Sequence, residues 1–357
     1  MNISTLDKLR KEVDDEINDR KKDLQNGKLD MSFGELSNMF NEGDLIIRPE
    51  FQRLFRWNNY QKTRLIESIL VGIPIPSIFV VENDKGQWEL IDGLQRLSTV
   101  FSFMGKLNNN EQWKLGEGDI LHKIKGLSYD DLPTRARSLI RRYICRVEII
   151  YYGSDYDIRY DIFERLNTGG SPLSDQEIRN AIYRNDFPNF VEFLSRNGSN
   201  NKFIELINIS TNKQNSLYAD ELVLRFCSLY DSNGITKNLS NHMDSYMKKI
   251  IKMKDINKIN ELEDIFKRTI NVLTKLNIDN LFWKKPGFSS TLYDGIMIGL
   301  SMNIEKYENE SCSTITDKIE ELKNDENFEK YSGSKSHNAK NVNKRILIAK
   351  EIFGTND

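Results

Sequence analysis

Apolar and polar positions follow two different periods along this chain, and the change from one to the other divides it. In the first 150 residues, SIFVVE and QWELI flank the turn sequence NDKG and predict a β-hairpin, and ICRVEIIYY predicts a further strand. Helical spacing precedes the hairpin, at residues 60–71, and follows it in LQRLSTVFSFMGK. Beyond about residue 186 we find only helical periodicity. This segregation predicts an α+β domain followed by an all-helical domain.

Capping signals refine the boundaries. Ser32 and Glu35 have the Ser-x-x-Glu spacing of a capping box, as do Ser174 and Glu177, and Gly72 is placed to end a helix. The pattern also predicts a helix over residues 155–167 and extended chain over residues 48–57. We therefore expect a charged N-terminal arm or helix at 1–31, a mixed domain at 32–185 and a helical domain at 186–357.

Composition argues against a chain with a global charge bias toward nucleic acid, a cysteine-metal protein and a membrane protein. The net charge is only −2 although 29% of residues are charged, so no global bias toward nucleic acid is present. Cys145, Cys227 and Cys312 lie far apart in sequence, which favours thiols in a reducing compartment over a metal site. No run approaches the roughly 20 apolar residues of a membrane helix. We expect a soluble, cytoplasmic protein with no membrane partner.

The stretch IDGLQR, residues 91–96, joins a predicted strand to a predicted helix. Gly93 would free backbone N–H groups at the helix start to receive a phosphate, and Arg96 could add charge-assisted hydrogen bonds. Asp92 could hold Mg²⁺ or orient an attacking water. Alone, the same residues also fit a structural turn with a solvated arginine.

Two further segments combine arginines with aromatic residues or glycines. RPEFQRLFRW, residues 48–57, suits a basic aromatic wall for phosphates or bases, or a core segment whose arginines reach water. FERLNTGGSPLSDQEIRNA, residues 163–181, suits a loop that approaches an anion, or a glycine cap between two helices. Its candidate binding residues are Arg165, Asn167, Thr168, Gly169 and Gly170.

Together, in this order and spacing, the three segments resemble the N-terminal domain of GmrSD-type restriction proteins, also known as domain of unknown function 262. Asp92, Gly93, Gln95 and Arg96 match its DGxQR signature, although Leu94 stands where glutamine is commonest. The other matching positions are Arg48, Gln52 and Arg53 upstream, and Arg165, Asn167 and Gly170 downstream. The resemblance covers roughly residues 32–185.

The resemblance implies a ParB/sulfiredoxin-like fold that binds and hydrolyses nucleoside triphosphates with Mg²⁺, within prokaryotic defence against phage with modified DNA. Family members often add a histidine-metal nuclease domain. Here His122, His242 and His337 are isolated, so we expect no histidine- or cysteine-bound metal and a nuclease or effector supplied by a separate protein.

These inferences assign roles to the predicted site. Arg53, Arg96 and Arg165 would contact phosphates, Asp92 would bind Mg²⁺ or direct water, and Gln95 would orient a water or a phosphate oxygen. A DNA- or partner-binding adaptor without turnover is the alternative, and a nickase that uses Asp92 is a third.

An arginine-rich stretch, TRARSLIRRYICR, offers a separate candidate surface. Helical spacing would place Arg135, Arg142 and Arg146 near one side, as a nucleic-acid contact. A solvated helix packed against the sheet fits the same pattern.

Overall fold

A computed structural model describes residues 12–13, 16, 26–47, 57–83, 85–107, 113–151, 174–183, 187–210, 213, 216–285 and 287–354. These residues form two compact units, one within residues 1–172 and the other within residues 173–357. The first unit mixes strands and helices, and the second is predominantly helical. The α+β class and the helical C-terminal region agree with the sequence prediction.

A five-stranded mixed sheet forms the frame of the first unit. Its strands, in chain order, are β1 (Asn26–Ser32), β2 (Leu45–Ile46), β3 (Ile78–Glu82), β4 (Trp88–Asp92) and β5 (Ile144–Ile150). Their spatial order is β1-β5-β3-β4-β2, with antiparallel β1–β5 and β3–β4 pairs and parallel β3–β5 and β2–β4 pairs. The register between β3 and β4 shifts between Phe79 and Val80, which puts an irregularity beside Asp92, the partner of Phe79.

Among the described residues, four α-helices accompany this sheet. They are α1 (Phe33–Glu42), α2 (Asn59–Val71), α3 (Leu94–Phe103) and α4 (Thr134–Arg142). Ser32 and Glu35 form the predicted capping box, and α2 ends at Gly72 in the left-handed region, with φ 83°. Phe33, Phe101 and Val147 are buried in one apolar core shared by the helices and the sheet. This core holds the β4–α3 junction in place.

The second unit is built from eleven helices among the described residues. They are α5 (Asp175–Tyr183), α6 (Pro188–Gly198), α7 (Asn201–Ile207), α8 (Tyr218–Tyr230), α9 (Leu239–Met253), α10 (Ile256–Lys275), α11 (Ser290–Ser301), α12 (Ile304–Tyr307), α13 (Cys312–Asn324), α14 (Glu326–Ser332) and α15 (Ala339–Phe353). The predicted Ser174–Glu177 capping box is present at the start of α5. Every residue of α11 after Ser290 is buried, so this helix is the centre of the unit.

Close packing around α11 depends on two glycines. A Cβ at Gly299 would lie 2.4 Å from the ring of Phe353, and one at Gly295 would lie 2.8 Å from Phe328. No side chain larger than hydrogen fits at either position without displacing α14 or α15. The sequence pattern predicts an apolar helix here, but it does not show that other helices enclose it on all sides.

Two expectations differ from the structure. The N-terminal arm predicted to reach residue 31 gives way to β1, which side-chain periodicity does not reveal because most of its side chains are exposed and it is held by backbone pairing with β5. The second unit is not entirely helical, since Trp283–Lys284 (β6) and Gly287–Phe288 (β7) form a short antiparallel ladder.

The predicted helix at 155–167 lies outside the described residues. Within the described part of the chain, no helix combines the length and apolar character that crossing a membrane requires.

Candidate functional site

The signature residues lie where β4 ends and α3 begins. Gly93 connects the two with φ 105°, a conformation that residues with a Cβ adopt at a cost. A Cβ at this position would also lie 3.0 Å from Cγ1 of Ile78 on β3. Both the backbone angle and the packing therefore require glycine here.

Asp92 and Arg96 are bonded to each other across this junction. Nη2 of Arg96 donates to Oδ2 of Asp92, and Nη1 donates to the backbone carbonyls of Pro76 and Ser77, the second at 2.8 Å. The Arg96 side chain is only 11% exposed, whereas 38% of the Asp92 side chain is exposed. Arg96 thus fixes the strand end to the segment before β3, and Asp92 presents part of its carboxylate to solvent.

Tyr143 holds the same segment from its other side. Its hydroxyl donates to the carbonyl of Ile73 at 2.8 Å and accepts from the N–H of Ile75 at 3.2 Å. The segment from Ile73 to Ser77 is therefore tied by an arginine on α3 and by a tyrosine that lies between α4 and β5. This arrangement makes the surroundings of Asp92 rigid.

Gln95 links the signature to the end of the upstream motif. Its Oε1 accepts from the backbone N–H of Trp57 at 3.2 Å. Asn58, the next residue, caps α2 through a capping box with Gln61. The starts of α2 and α3 are thereby brought together, so two of the three sequence segments meet.

The first turn of α3 has no side-chain cap, because its N-cap residue is Gly93. The N–H groups of a helix's first turn have no partner within the helix and carry a partial positive charge. Beside the exposed part of Asp92, this helix start is a place where a phosphate would fit.

The remaining predicted nucleotide contacts lie outside the described residues. They are Arg48, Gln52, Arg53, Arg165, Asn167, Thr168, Gly169 and Gly170. Their roles stay predictions.

The arginine-rich stretch is split between two elements. Arg135 and Arg142 are exposed on α4, which ends at Arg142, whereas Arg146 lies on β5. Arg146 donates to both carboxylate oxygens of Asp30 on β1, at 3.0 and 3.3 Å. The helical spacing assumed for Arg146 is therefore wrong, because the helix has already given way to a strand.

A buried carboxylate that none of the sequence motifs includes organises one side of this unit. Glu67 on α2 is 3% exposed and accepts from the backbone N–H groups of Asp119, Ile120 and Leu121, at 3.2, 2.7 and 2.6 Å. Burial by itself raises the pKa of Glu67, but these hydrogen bonds and the charge of Arg64 outweigh it and hold the pKa below its usual value. The sequence signal that could have indicated this carboxylate is a glutamate placed on the buried face of α2.

Metal-binding groups are sparse in this unit. No cluster of three or more His, Cys, Asp or Glu side chains able to hold a metal ion occurs among the described residues. Asp92 still fits a nucleotide-bound Mg²⁺, because such ions take most of their ligands from phosphates and water and need only one or two carboxylates.

Part of the chain matches a known protein family. Residues 36–184 match the family model described as GmrSD restriction endonuclease, N-terminal domain. The chain carries a GmrSD-type N-terminal domain. A search of curated proteins finds no match to the chain. The GmrSD_N match contains all of the described signature, from Asp92 to Arg96, and it extends past the first compact unit to include α5.

Proposed function

We propose that this chain is the nucleotide-binding component of a prokaryotic anti-phage restriction system and that it hydrolyses nucleoside triphosphates with Mg²⁺. The family match supports a role in restriction. The observation that carries the nucleotide site is the uncapped start of α3 beside Asp92 and joined to the upstream motif through Gln95. A ParB/sulfiredoxin-like fold for the first unit belongs to the same proposal and is supported by its mixed sheet and its signature.

In this proposal the phosphates lie at the backbone N–H groups of the first turn of α3. Arg48, Arg53 and Arg165 supply the charges that neutralise them. Arg96 acts as a positioning residue, since its two terminal nitrogens already bond to Asp92, Pro76 and Ser77. Asp92 holds the metal ion or orients water through the part of its carboxylate that is exposed.

An adaptor without turnover is the second candidate. The Asp92–Arg96 pair favours it, because two residues that satisfy each other also suit a purely structural turn. The protein would then recruit a separate nuclease whether or not a nucleotide is bound. DNA contact through Arg135 and Arg142 on α4 is compatible with both.

Hydrolysis of ATP, GTP, CTP and UTP with Mg²⁺ tests the proposal, with and without DNA. The informative variant is Asp92→Asn, which keeps an acceptor for Arg96 while it removes the charge. We expect loss of at least about 100-fold in turnover, the scale of one electrostatic contact to a transition state. Asp317→Asn, at an exposed aspartate of the helical unit, is the matched control.

Absence of turnover in a folded wild-type protein would replace the enzyme with the adaptor. DNA cleavage without any nucleotide would identify a nickase instead. Unchanged turnover in Asp92→Asn would remove Asp92 from the catalytic machinery.

A further inference from the structure

The helical unit contains a cleft of about 440 Å³ that none of the sequence motifs accounts for. Glu221 and Arg225 on α8 line it, with Leu239 and Met243 on α9 and His337 before α15. The volume is within the range of pockets that bind small molecules. All of these residues belong to the second compact unit.

A buried arrangement of charges fixes the floor of this cleft. Nε and Nη2 of Arg225 donate to the two oxygens of Asp294 on α11, the second at 2.7 Å. Arg345 on α15 lies beside the same carboxylate, with its Nη2 3.4 Å from Oδ2. The side chains of Arg225, Asp294 and Arg345 are at most 3% exposed. The guanidinium of Arg225 is therefore held rigidly, and the edge that carries its Nε is occupied by Asp294.

Arg345 also fixes the wall that carries His337. Its Nη1 donates to the backbone carbonyls of Tyr331 and Ser336, at 2.8 and 2.6 Å. The backbone carbonyl of His337 itself accepts from the N–H of Leu239 at 2.9 Å. The cleft is thus built before any ligand enters, which lowers the entropy lost on binding.

Ser240 and Asp175, which also line the cleft, already have partners. Nη2 of Arg179 donates to Oγ of Ser240 at 2.7 Å, and that hydroxyl donates to Asp175 at 3.1 Å. Nε of Arg179 donates to Asp244 at 2.7 Å. These bonds close the α5 side of the cleft.

Three groups in the cleft keep unused hydrogen-bonding capacity within the described part of the chain. The carboxylate of Glu221 receives no hydrogen bond, and its nearest cation is Nη1 of Arg179 at 3.9 Å. Nη1 of Arg225 has no acceptor there, and neither ring nitrogen of His337 has a partner. Burial raises the pKa of Glu221 and lowers that of His337, as expected for polar groups held in a dry, under-satisfied site.

The positions of Glu221 and Arg225 select the ligand. One helical turn separates them, so their side chains lie on the same face of α8, about 5–6 Å apart at Cβ. An acceptor and a donor at this spacing match a planar molecule with N–H donors on one edge and acceptors on the next. Guanine has this pattern, since its O6 and N7 accept from arginine and its N1–H and N2–H₂ groups donate to a carboxylate. Leu239 and Met243, on the same face of α9, would cover one face of the ring.

We propose that the cleft between α8 and α9 binds a guanine base, with Glu221 accepting from its N1–H and N2–H₂ groups and Arg225 donating to O6 and N7. This site is separate in sequence from the signature residues and does not depend on nucleotide hydrolysis there. The base could belong to a free nucleotide or to single-stranded nucleic acid, and the chemistry of recognition is the same for both.

Calorimetric titration of the full chain with GMP, IMP, AMP and CMP tests this. These ligands share the same phosphate, so differences in affinity report the base alone. We expect GMP to bind, IMP to bind about tenfold more weakly because it lacks the N2 amine, and AMP and CMP to show no binding at the same concentration. Oligothymidylates that contain one dG or one dA distinguish nucleic acid from free nucleotide as the source.

Glu221→Gln is the informative variant, since it keeps the side-chain shape and removes one of the two acceptors. We expect it to weaken GMP binding about tenfold or more and to leave melting temperature and NTP hydrolysis unchanged. Glu192→Gln, an exposed glutamate on α6, is the matched control.

Equal binding of GMP and AMP would overturn the proposal, as would undiminished GMP binding by Glu221→Gln. Lack of any binding by the folded wild-type protein would do the same. Asp92→Asn separates the two sites, because it should impair NTP turnover and retain GMP binding.

Discussion

The backbone N–H of Trp57 donates to Oε1 of Gln95 at 3.2 Å, across 38 residues of sequence. This hydrogen bond connects the last residue of one arginine-rich motif to the first turn of α3, within the signature. It indicates that the glutamine of the signature has a structural partner in addition to any ligand.

Gln95→Leu should therefore lower the free energy of unfolding by about 0.5–1.5 kcal/mol, the usual net value of one hydrogen bond. Gln95→Glu keeps an acceptor for Trp57 and should lose less. Urea denaturation of both variants measures the difference. Equal losses would show that the bond to Trp57 is not what stabilises this position.

Replacing Arg96 should destabilise the first unit strongly. Arg96→Ala leaves the carbonyls of Pro76 and Ser77 and the carboxylate of Asp92 without their donor, at a cost of about 2–4 kcal/mol. Arg135→Ala, on the exposed face of α4, should change stability by less than about 0.5 kcal/mol. Thermal unfolding of the two variants side by side tests this, and similar melting temperatures would contradict the positioning role.

Gly93→Ala should cost more than the same change at a glycine with open space around it. Both Gly93 and Gly72 have positive φ, at 105° and 83°, but only a Cβ at Gly93 would meet Ile78. We expect a loss of about 1 kcal/mol for Gly72→Ala, and a further 1 kcal/mol or more for Gly93→Ala. Chemical denaturation compares them, and equal losses would mean that β3 moves to accommodate the methyl group.

Because of Glu67, the stability of the first unit should fall at acidic pH. Its pKa in the folded protein is lower than in the unfolded chain, so its contribution is complete above the unfolded value of 4.5 and is lost as pH falls through the folded value. Glu67→Gln should lower stability at pH 7 and flatten its decline below pH 4.5. Melting temperatures of both proteins across this range give the test, and parallel curves would exclude Glu67 as a source of the decline.

Binding of nucleic acid through α4 should have a measurable salt signature. Removing Arg135 and Arg142 together should reduce the slope of log affinity against log salt by about 2, if each neutralises one phosphate. Arg146→Ala is the control, because Arg146 is paired with Asp30. A slope unaffected by the double substitution would place any DNA contact elsewhere.

Sequence patterns were sufficient for those elements that bury one face and carry their own caps. The Ser32–Glu35 box, the end of α2 at Gly72 and the β3–β4 hairpin follow from local chemistry and alternate burial. β1 was missed because an outer strand with exposed side chains is held by backbone hydrogen bonds, which side-chain patterns do not show.

The sequence predicted which residues lie in the candidate site, but it did not predict which residues they bond to. Sequence singled out Asp92 and Arg96, but their bond to each other depends on the turn at Gly93, and the bonds to Pro76 and Ser77 depend on how the chain folds back. Glu221 and Arg225 carried no motif. Their significance comes from Asp294, which is 69 residues beyond Arg225 in the chain.

β1 has a practical consequence for anyone who prepares the N-terminal domain as a fragment. The family match begins at residue 36, after β1 has ended at Ser32. A recombinant protein cut at that boundary would lack the strand that pairs with β5 over seven residues, from Asn26–Ile150 to Ser32–Ile144. Its sheet would lose these backbone hydrogen bonds, and β5 would replace β1 as the strand at that edge, with its unpaired donors and acceptors open to other chains. A fragment that begins before Asn26 keeps β5 inside the sheet.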